Sequence, residues 1–360
     1  MYRKAAIALL AITAALSGAA ESTQRITATK ANEYALVYTL PVTGLRITLE
    51  AQITVKQPGE FYEYARKYLN EDNPISRESR TAELKSAVVQ TYGVPDPEQR
   101  FLVTVKNANP YMILTESGIP LAFNTSTLPQ MKTPELPVAR EAEPTPLQKP
   151  AARQVITEEM LQSQSVAKRA ELAAQQIFEI RQARADLVSG NADTMPPDGK
   201  SLELMLQTLQ AQEEALEAMF CGTTSTYTEV KTVDIMPEDD ITDAVIARIS
   251  AVDGFVDPDN LSGAPVYLSL KVTQEGEMPV NDKGEPLPVP KNGLAYCIPG
   301  QAQVSITDGD RTYCDTTLDF AQFGIVYALS PNTLTDKKTP SYVIFNPATG
   351  AFLKSGPVEE

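Results

Sequence analysis

The chain has 360 residues, 42% of them hydrophobic, and a formal net charge of −15; it can hold more than one core, and its surface repels nucleic acid and anionic membranes. Histidine is absent, which excludes a Ser-His-Asp triad, a Cys-His pair and an imidazole zinc site, and with them the commonest hydrolase and metalloenzyme designs. Tryptophan is absent too, leaving the 14 tyrosines as candidates for stacking on a ligand.

At the N-terminus, Arg3 and Lys4 precede an apolar run over residues 5–16 and the small residues Ser17, Gly18, Ala19 and Ala20. This is the layout of a secretory signal peptide over residues 1–20, cleaved near Ala20, so the protein is expected in the periplasm or outside the cell. No cysteine lies at the cleavage region for a lipid anchor, and no later run is long enough to predict a transmembrane helix.

Over residues 45–55 apolar and polar side chains alternate strictly, which predicts a strand with one buried face. Residues 34–40 read as a shorter strand, and residues 41–44, from Pro41 to Gly44, as the turn that pairs the two as an antiparallel hairpin. Phe61, Tyr64, Ala65, Tyr68 and Leu69 have helical spacing and are expected to cover the apolar face of that hairpin. Strands at 84–90 and 101–106, joined through Gly93, Pro95, Asp96 and Pro97, and a hairpin over 111–123 around Gly118 complete an N-terminal antiparallel β-rich module with a short helix, residues 21–128. Pro129, Pro134, Pro137, Pro144, Pro146 and Pro150 then interrupt a stretch with almost no apolar periodicity. Residues 129–156 are therefore an extended linker, a plain spacer or a proline-rich ligand.

Residues 157–221 predict a central antiparallel αα-hairpin. Val166, Ala170, Ala173, Ile177, Ile180 and Leu187 recur at spacings of three and four, and Asn191, Asp193, Pro196 and Pro197 then stop the first helix. Asp198 can cap a second helix whose stripe reads Leu202, Met205, Leu206, Leu209, Leu216, Met219 and Phe220, closed by Gly222. The two stripes are expected to bury each other. Arg181, Arg184 and Glu213 lie on or beside this seam, where an unpaired ion is costly, so they read as structural ion pairs rather than an anion site.

Short β runs at 223–233, 244–251, 266–273, 294–298, 301–307, 311–320 and 325–329 predict an all-β sandwich- or barrel-like module over residues 222–360. Asp308 and Gly309 mark a hairpin turn within it, and the chain closes with a run at 342–345, a turn at 346–350 and a last run at 351–353. The fold class is thus α+β.

Chemistry is harder to place. Asp253, Asp257, Asp259 and Asn260 could hold calcium, but they lack the spacing of an EF-hand loop, and acidic turns are usually solvated. Two carboxylates suffice for a glycosidase, yet the sequence singles out no pair. Of the three cysteines, Cys297 and Cys314 are the candidate disulfide in an oxidising compartment, and Cys221 ends a helix stripe as a buried thiol. No catalytic, cofactor-binding or metal-binding residue is marked.

Several stretches stand out together: residues 177–187 with Ile-x-x-Ile-Arg-x-x-Arg, the turn Pro197-Asp198-Gly199, Glu213 with Glu214, the run at 253–257, residues 262–267, Ile298-Pro299-Gly300 and Ala321-Gln322-Phe323-Gly324. With these the chain resembles a family of secreted proteins from Bacteroidetes-type bacteria catalogued as a domain of unknown function. The resemblance covers nearly the whole mature chain and implies secretion and a shared architecture, with no activity attached. The expected function is a non-enzymatic envelope protein that binds a protein or cell-surface partner, without a cofactor; the alternative is a histidine-free hydrolase using carboxylates, such as a carbohydrate-active enzyme.

Overall fold

A computed structural model describes residues 35–104, 111–290, 293–330 and 341–358. The leader expected over residues 1–20 and the last two residues of the strand expected at 101–106 lie outside the described residues.

The alternating stretch lies in β1 (Ala35–Gln57), where Leu45, Ile47, Leu49, Ala51 and Ile53 are fully buried while Arg46, Glu50 and Gln52 point the other way. β1 does not turn at Pro41 to Gly44. It runs through, pairing antiparallel with β2 (Ser79–Thr104), and Pro41 faces Pro95 at the rung where β2 bulges by residues 96–99. Neither proline has an amide to offer, and a bulge leaves such positions unpaired, so these residues interrupt the ladder without ending it. Gly44 serves close packing here: a Cβ on it would lie 2.4 Å from the Tyr92 ring.

On its other side β1 pairs with β5 (Thr223–Ile235), Leu45 opposite Ile235 and Gln57 opposite Thr223. A second antiparallel sheet is built from β6 (Ile241–Ser250), β7 (Gly254–Val256), β8 (Ala264–Gln274), β9 (Leu294–Thr307) and β10 (Thr312–Leu329), in the order β10-β9-β8-β6-β7. The breaks predicted at 299–300 and 321–324 fall inside β9 and β10, which carry a register shift there and otherwise stay paired. The two sheets face each other, and Leu45, Ile47, Leu49 and Ile53 of β1 meet Leu268, Val304, Ile306 and Phe320 in one core.

A third, four-stranded sheet has the order β12-β11-β4-β3, from β3 (Met112–Leu114), β4 (Pro120–Phe123), β11 (Ser341–Phe345) and β12 (Phe352–Pro357). Its core takes Tyr38 and Leu40 from β1, Val103 from β2 and Leu294 and Ala295 from β9. Residues 21–128 and 222–360, expected as separate modules, therefore share sheets: β5 lies beside β1 and β11 beside β4. Alternation tells which face of a strand is buried but not which strand lies next to it. One interleaved antiparallel framework replaces the two modules.

Helices cover one end of this framework. A 3₁₀ turn (Tyr62–Tyr64) leads into α1 (Ala65–Leu69); α2 (Pro150–Gln154), α3 (Glu158–Gln162), α4 (Val166–Ser189) and α5 (Gly199–Cys221) follow. The predicted linker has no helix and no strand ladder up to residue 145, turns at residues 146–149, where Gln148 N and Lys149 N donate to Thr145 O, and becomes helical at α2. The Ser165 and Asp198 side chains accept from Lys168 N and Ser201 N as N-caps, and Gly190 ends α4 in the left-handed conformation. Ala170, Ala173 and Ile177 pack on Leu216 and Phe220 with Val155, Met160, Phe61 and Ala65. Phe61 and Ala65 thus bind the helices rather than the face of β1, which the opposing sheet already fills; the Phe61 ring lies 5.4 Å from that of Phe220. The helices join the framework where Gln57 pairs with Thr223, at the opposite end of β1 from the four-stranded sheet.

Candidate functional site

α4 and α5 run antiparallel, and the rest of the protein covers one end of the pair. In α5 no residue before Glu213 is buried, whereas Glu213, Ala215, Leu216, Ala218, Met219 and Phe220 are. α2 marks the limit of cover, where Gln212 Nε2 donates to Gln154 Oε1 at 3.4 Å. Beyond it Leu202, Leu206 and Leu209 are half-buried in the seam, while Val188, Leu204 and Met205 are 74%, 65% and 43% exposed and Met195 lies exposed in the connection. Met205, read from the sequence as part of an internal stripe, is on the surface. Two helices alone have too little mutual surface to bury every apolar position of both.

The ion pairs sit where cover begins. Arg181 Nε donates to Glu213 Oε1 at 2.7 Å, Arg184 Nη1 donates to Glu213 Oε2, and Arg181 also reaches Glu217. Burial pushes the Glu213 carboxyl up, but the hydrogen bonds from Arg181 and Arg184 outweigh it and hold the group below the ordinary glutamate value of 4.5. A carboxyl lowered on folding stabilises the fold above its unfolded value, and that contribution is lost as pH falls through the lowered folded value. Breaking a buried pair costs about 3–5 kcal/mol, but both arginines are more than a third exposed, so Glu213→Gln is expected to cost about 1–2 kcal/mol at pH 7. Urea titrations should show that cost shrinking once pH falls below about 4.5 and vanishing as it passes through the lowered folded value, where the parent carboxyl is protonated too.

A second feature lies at the β10 irregularity. Glu238, Asp239 and Asp240 from the β5–β6 connection, Glu275 after β8, and Gln322 and Phe323 line a cavity of about 820 Å³. Its floor is a polar knot. Gln322 Nε2 donates to Thr43 O at 3.0 Å and to Pro237 O at 2.8 Å, and its Oε1 accepts from Thr43 N at 2.9 Å. Thr43, fully buried, donates from Oγ1 to Ala348 O and accepts from Ala321 N, both at 2.9 Å. Asp240 Oδ1 accepts from Val272 N at 2.7 Å, so this carboxylate already fixes the end of β8. All four carboxylates are exposed, and a rim of one sign attracts cations. The only hint of this cleft in the sequence was the four-residue gap between the runs 311–320 and 325–329; the acidic rim reads like any solvated loop.

The other candidates are not brought together. Arg248 donates from Nε to Pro258 O at 2.7 Å and from Nη1 to Gly263 O at 3.0 Å, so a guanidinium organises the acidic loop of Asp253, Asp257, Asp259 and Asn260. Among the described residues no group of three or more Cys, Asp or Glu is placed to hold a metal. The three cysteines are unbridged. Cys297 lies opposite Val326 and Cys314 opposite Ile306, so the disulfide expected from the sequence is replaced by two thiols about nine rungs, roughly 30 Å, apart along the β9–β10 ladder. Such a bridge required the strand to fold back at Pro299 and Gly300, but β9 continues through both. Burial pushes the Cys297 thiol up to about 12, which leaves it unreactive. No helix among the described residues is long and apolar enough to cross a membrane.

A family model described as a domain of unknown function (DUF4831) matches residues 34–353. No curated protein and no solved structure matches the chain.

Proposed function

The chain belongs to that family of unknown function, and we propose that it is a non-enzymatic envelope protein that binds a protein or cell-surface partner through the free end of its helical hairpin. The observation that carries this reading is the exposure of Val188, Met195, Leu204 and Met205 at the end of α4 and α5 farthest from the framework. Apolar side chains gathered on an exposed, regular element favour contact with another surface. The rest of the fold suits a rigid mount: α5 passes directly into β5, which is bonded along β1. Secretion, in a Bacteroidetes-type bacterium, belongs to the same proposal and rests on the leader-like residues 1–20 and on the family resemblance. The net charge of −15 argues against nucleic acid as the partner.

The test is capture from the native envelope with tagged protein. Leu204→Asp with Met205→Asp should weaken binding of the captured partner about tenfold or more while leaving the melting temperature within about 2 °C of the parent. Full retention of the partner by this variant would sink the reading.

The acidic cleft favours a second reading, a hydrolase that uses carboxylates on a carbohydrate. Such chemistry needs one carboxyl held protonated by apolar surroundings, and the exposure of Glu238, Asp239, Asp240 and Glu275 speaks against that arrangement. Glycoside hydrolysis by the pure protein, abolished in Glu275→Gln, would favour the enzyme.

A further inference from the structure

In the sheet of order β2-β1-β5, β5 is an outer strand. Its even-numbered residues turn their amides and carbonyls away from β1, and among the described residues the backbone of one residue, Arg140, meets them. Arg140 N donates to Thr228 O at 3.1 Å, and Thr228 N donates to Arg140 O at 2.9 Å. This is a single antiparallel rung made by the proline-rich stretch, which forms no further ladder along β5. Prolines at 134, 137, 144 and 146 withhold amides on both sides of Arg140, so the stretch covers the edge without zipping onto it.

β5 itself carries few of the usual defences of an exposed edge. It contains no proline, and Thr226, Thr228, Val230 and Thr232 make most of its solvent face β-branched and uncharged, the one charge on that face, Asp234 near its end, being paired with Arg46. Its two inner charges are turned to the facing sheet: Lys231 Nζ donates to Val256 O at 2.9 Å, and Glu229 Oε2 accepts from Phe255 N at 3.4 Å.

We propose that the β5 edge is a pairing surface for β5 of a second copy of this chain, held closed by the Arg140 rung. The strand is self-complementary in one register. An antiparallel two-fold centred on Val230 places Val230 against Val230, Thr228 against Thr232 and Glu229 against Lys231 of the second copy, all favourable cross-strand pairs. Centring on Glu229 sets like charges opposite each other, and centring on Thr228 leaves Glu229 and Lys231 without opposite charges. In the Val230 register Thr228 bonds to Thr232 of the second copy through the same groups that Arg140 uses. The rung and the second copy therefore exclude each other.

The test uses the full mature chain carrying Val230→Cys, with and without Arg140→Pro, which removes the amide donated to Thr228 O. In a hydrogen-bonded antiparallel pair the Cα atoms are about 5.5 Å apart, within disulfide range. Under mild oxidation the double variant should crosslink to a dimer about tenfold faster than Val230→Cys alone, because a tethered competitor lowers the fraction of open edges. Thr226→Cys with Arg140→Pro should stay near the background set by the parent chain's own three thiols, since its partner is Asp234 of the second copy. Light scattering should show the Arg140→Pro protein shifting towards a dimer, with an unchanged circular dichroism spectrum showing that the fold is kept. A protein that remains monomeric after Arg140→Pro overturns the pairing. Equal crosslinking at 226 and 230 overturns the register, and equal rates with and without Arg140→Pro overturn the closure by the rung.

Discussion

Phe320→Ala is expected to lower stability by about 3–5 kcal/mol and to bring both sheets of the central sandwich down in one transition. Phe320 is fully buried, lies 5.4 Å ring to ring from Phe323, and belongs to the core that also holds Leu45, Ile47 and Leu49 of β1. Truncation leaves a cavity bounded by two paired sheets, and neither can move inward without breaking its ladders. Because the core draws on both ends of the sequence, the loss should register equally on amides of β1 and of β9. Hydrogen exchange read at both strands during a urea titration checks this; different midpoints for the two would mean that the halves unfold separately.

Gly222→Ala is expected to cost about 3–5 kcal/mol, combining backbone strain with overlap. Gly222 stands at φ 82° and ψ −174°, a region almost closed to residues with a Cβ. An added Cβ would also lie 2.4 Å from Gln57 O, and that carbonyl belongs to the last residue of β1. The chain changes from α5 to β5 at this point, and Ile75 N donates to Cys221 O beside it at 2.9 Å. Gly190 provides the control. It has a similar φ of 78° at the end of α4, but a Cβ there meets nothing within 4 Å. Gly190→Ala should therefore cost only about 1 kcal/mol. Chemical denaturation of the pair reads the crowding and the closed backbone region at Gly222 together against an ordinary left-handed helix end at Gly190, and equal losses would show that neither carries weight.

The helical hairpin was legible almost residue by residue, because the 3.6-residue period, the Asp198 cap and the Gly190 and Gly222 stops are local signals. The buried face of β1 was equally plain from its period of two. What local pattern does not carry is partnership. Leu45 is flanked by Thr91 on one side and Ile235 on the other, and nothing in either distant stretch names the match. Turn residues misled for a related reason. Pro41, Gly44, Gly93 and Pro95 are equally at home in a turn and in a bulge between long strands, and only the pairing decides which. The cleft was missed because its floor is made by distant backbones that Thr43 and Gln322 tie together. The exposed end of the hairpin was missed because a helical stripe reports an apolar side, not how far along it the rest of the protein reaches.

The proposal that the hairpin end is the contact surface is tested most directly by photocrosslinking in the native envelope. A benzophenone amino acid is placed at Leu204 in one variant and at Thr273, beside the acidic cleft, in another. The account predicts a discrete crosslinked product from position 204 and none from 273. A product from 273 with none from 204 would contradict it and move the binding surface to the cleft.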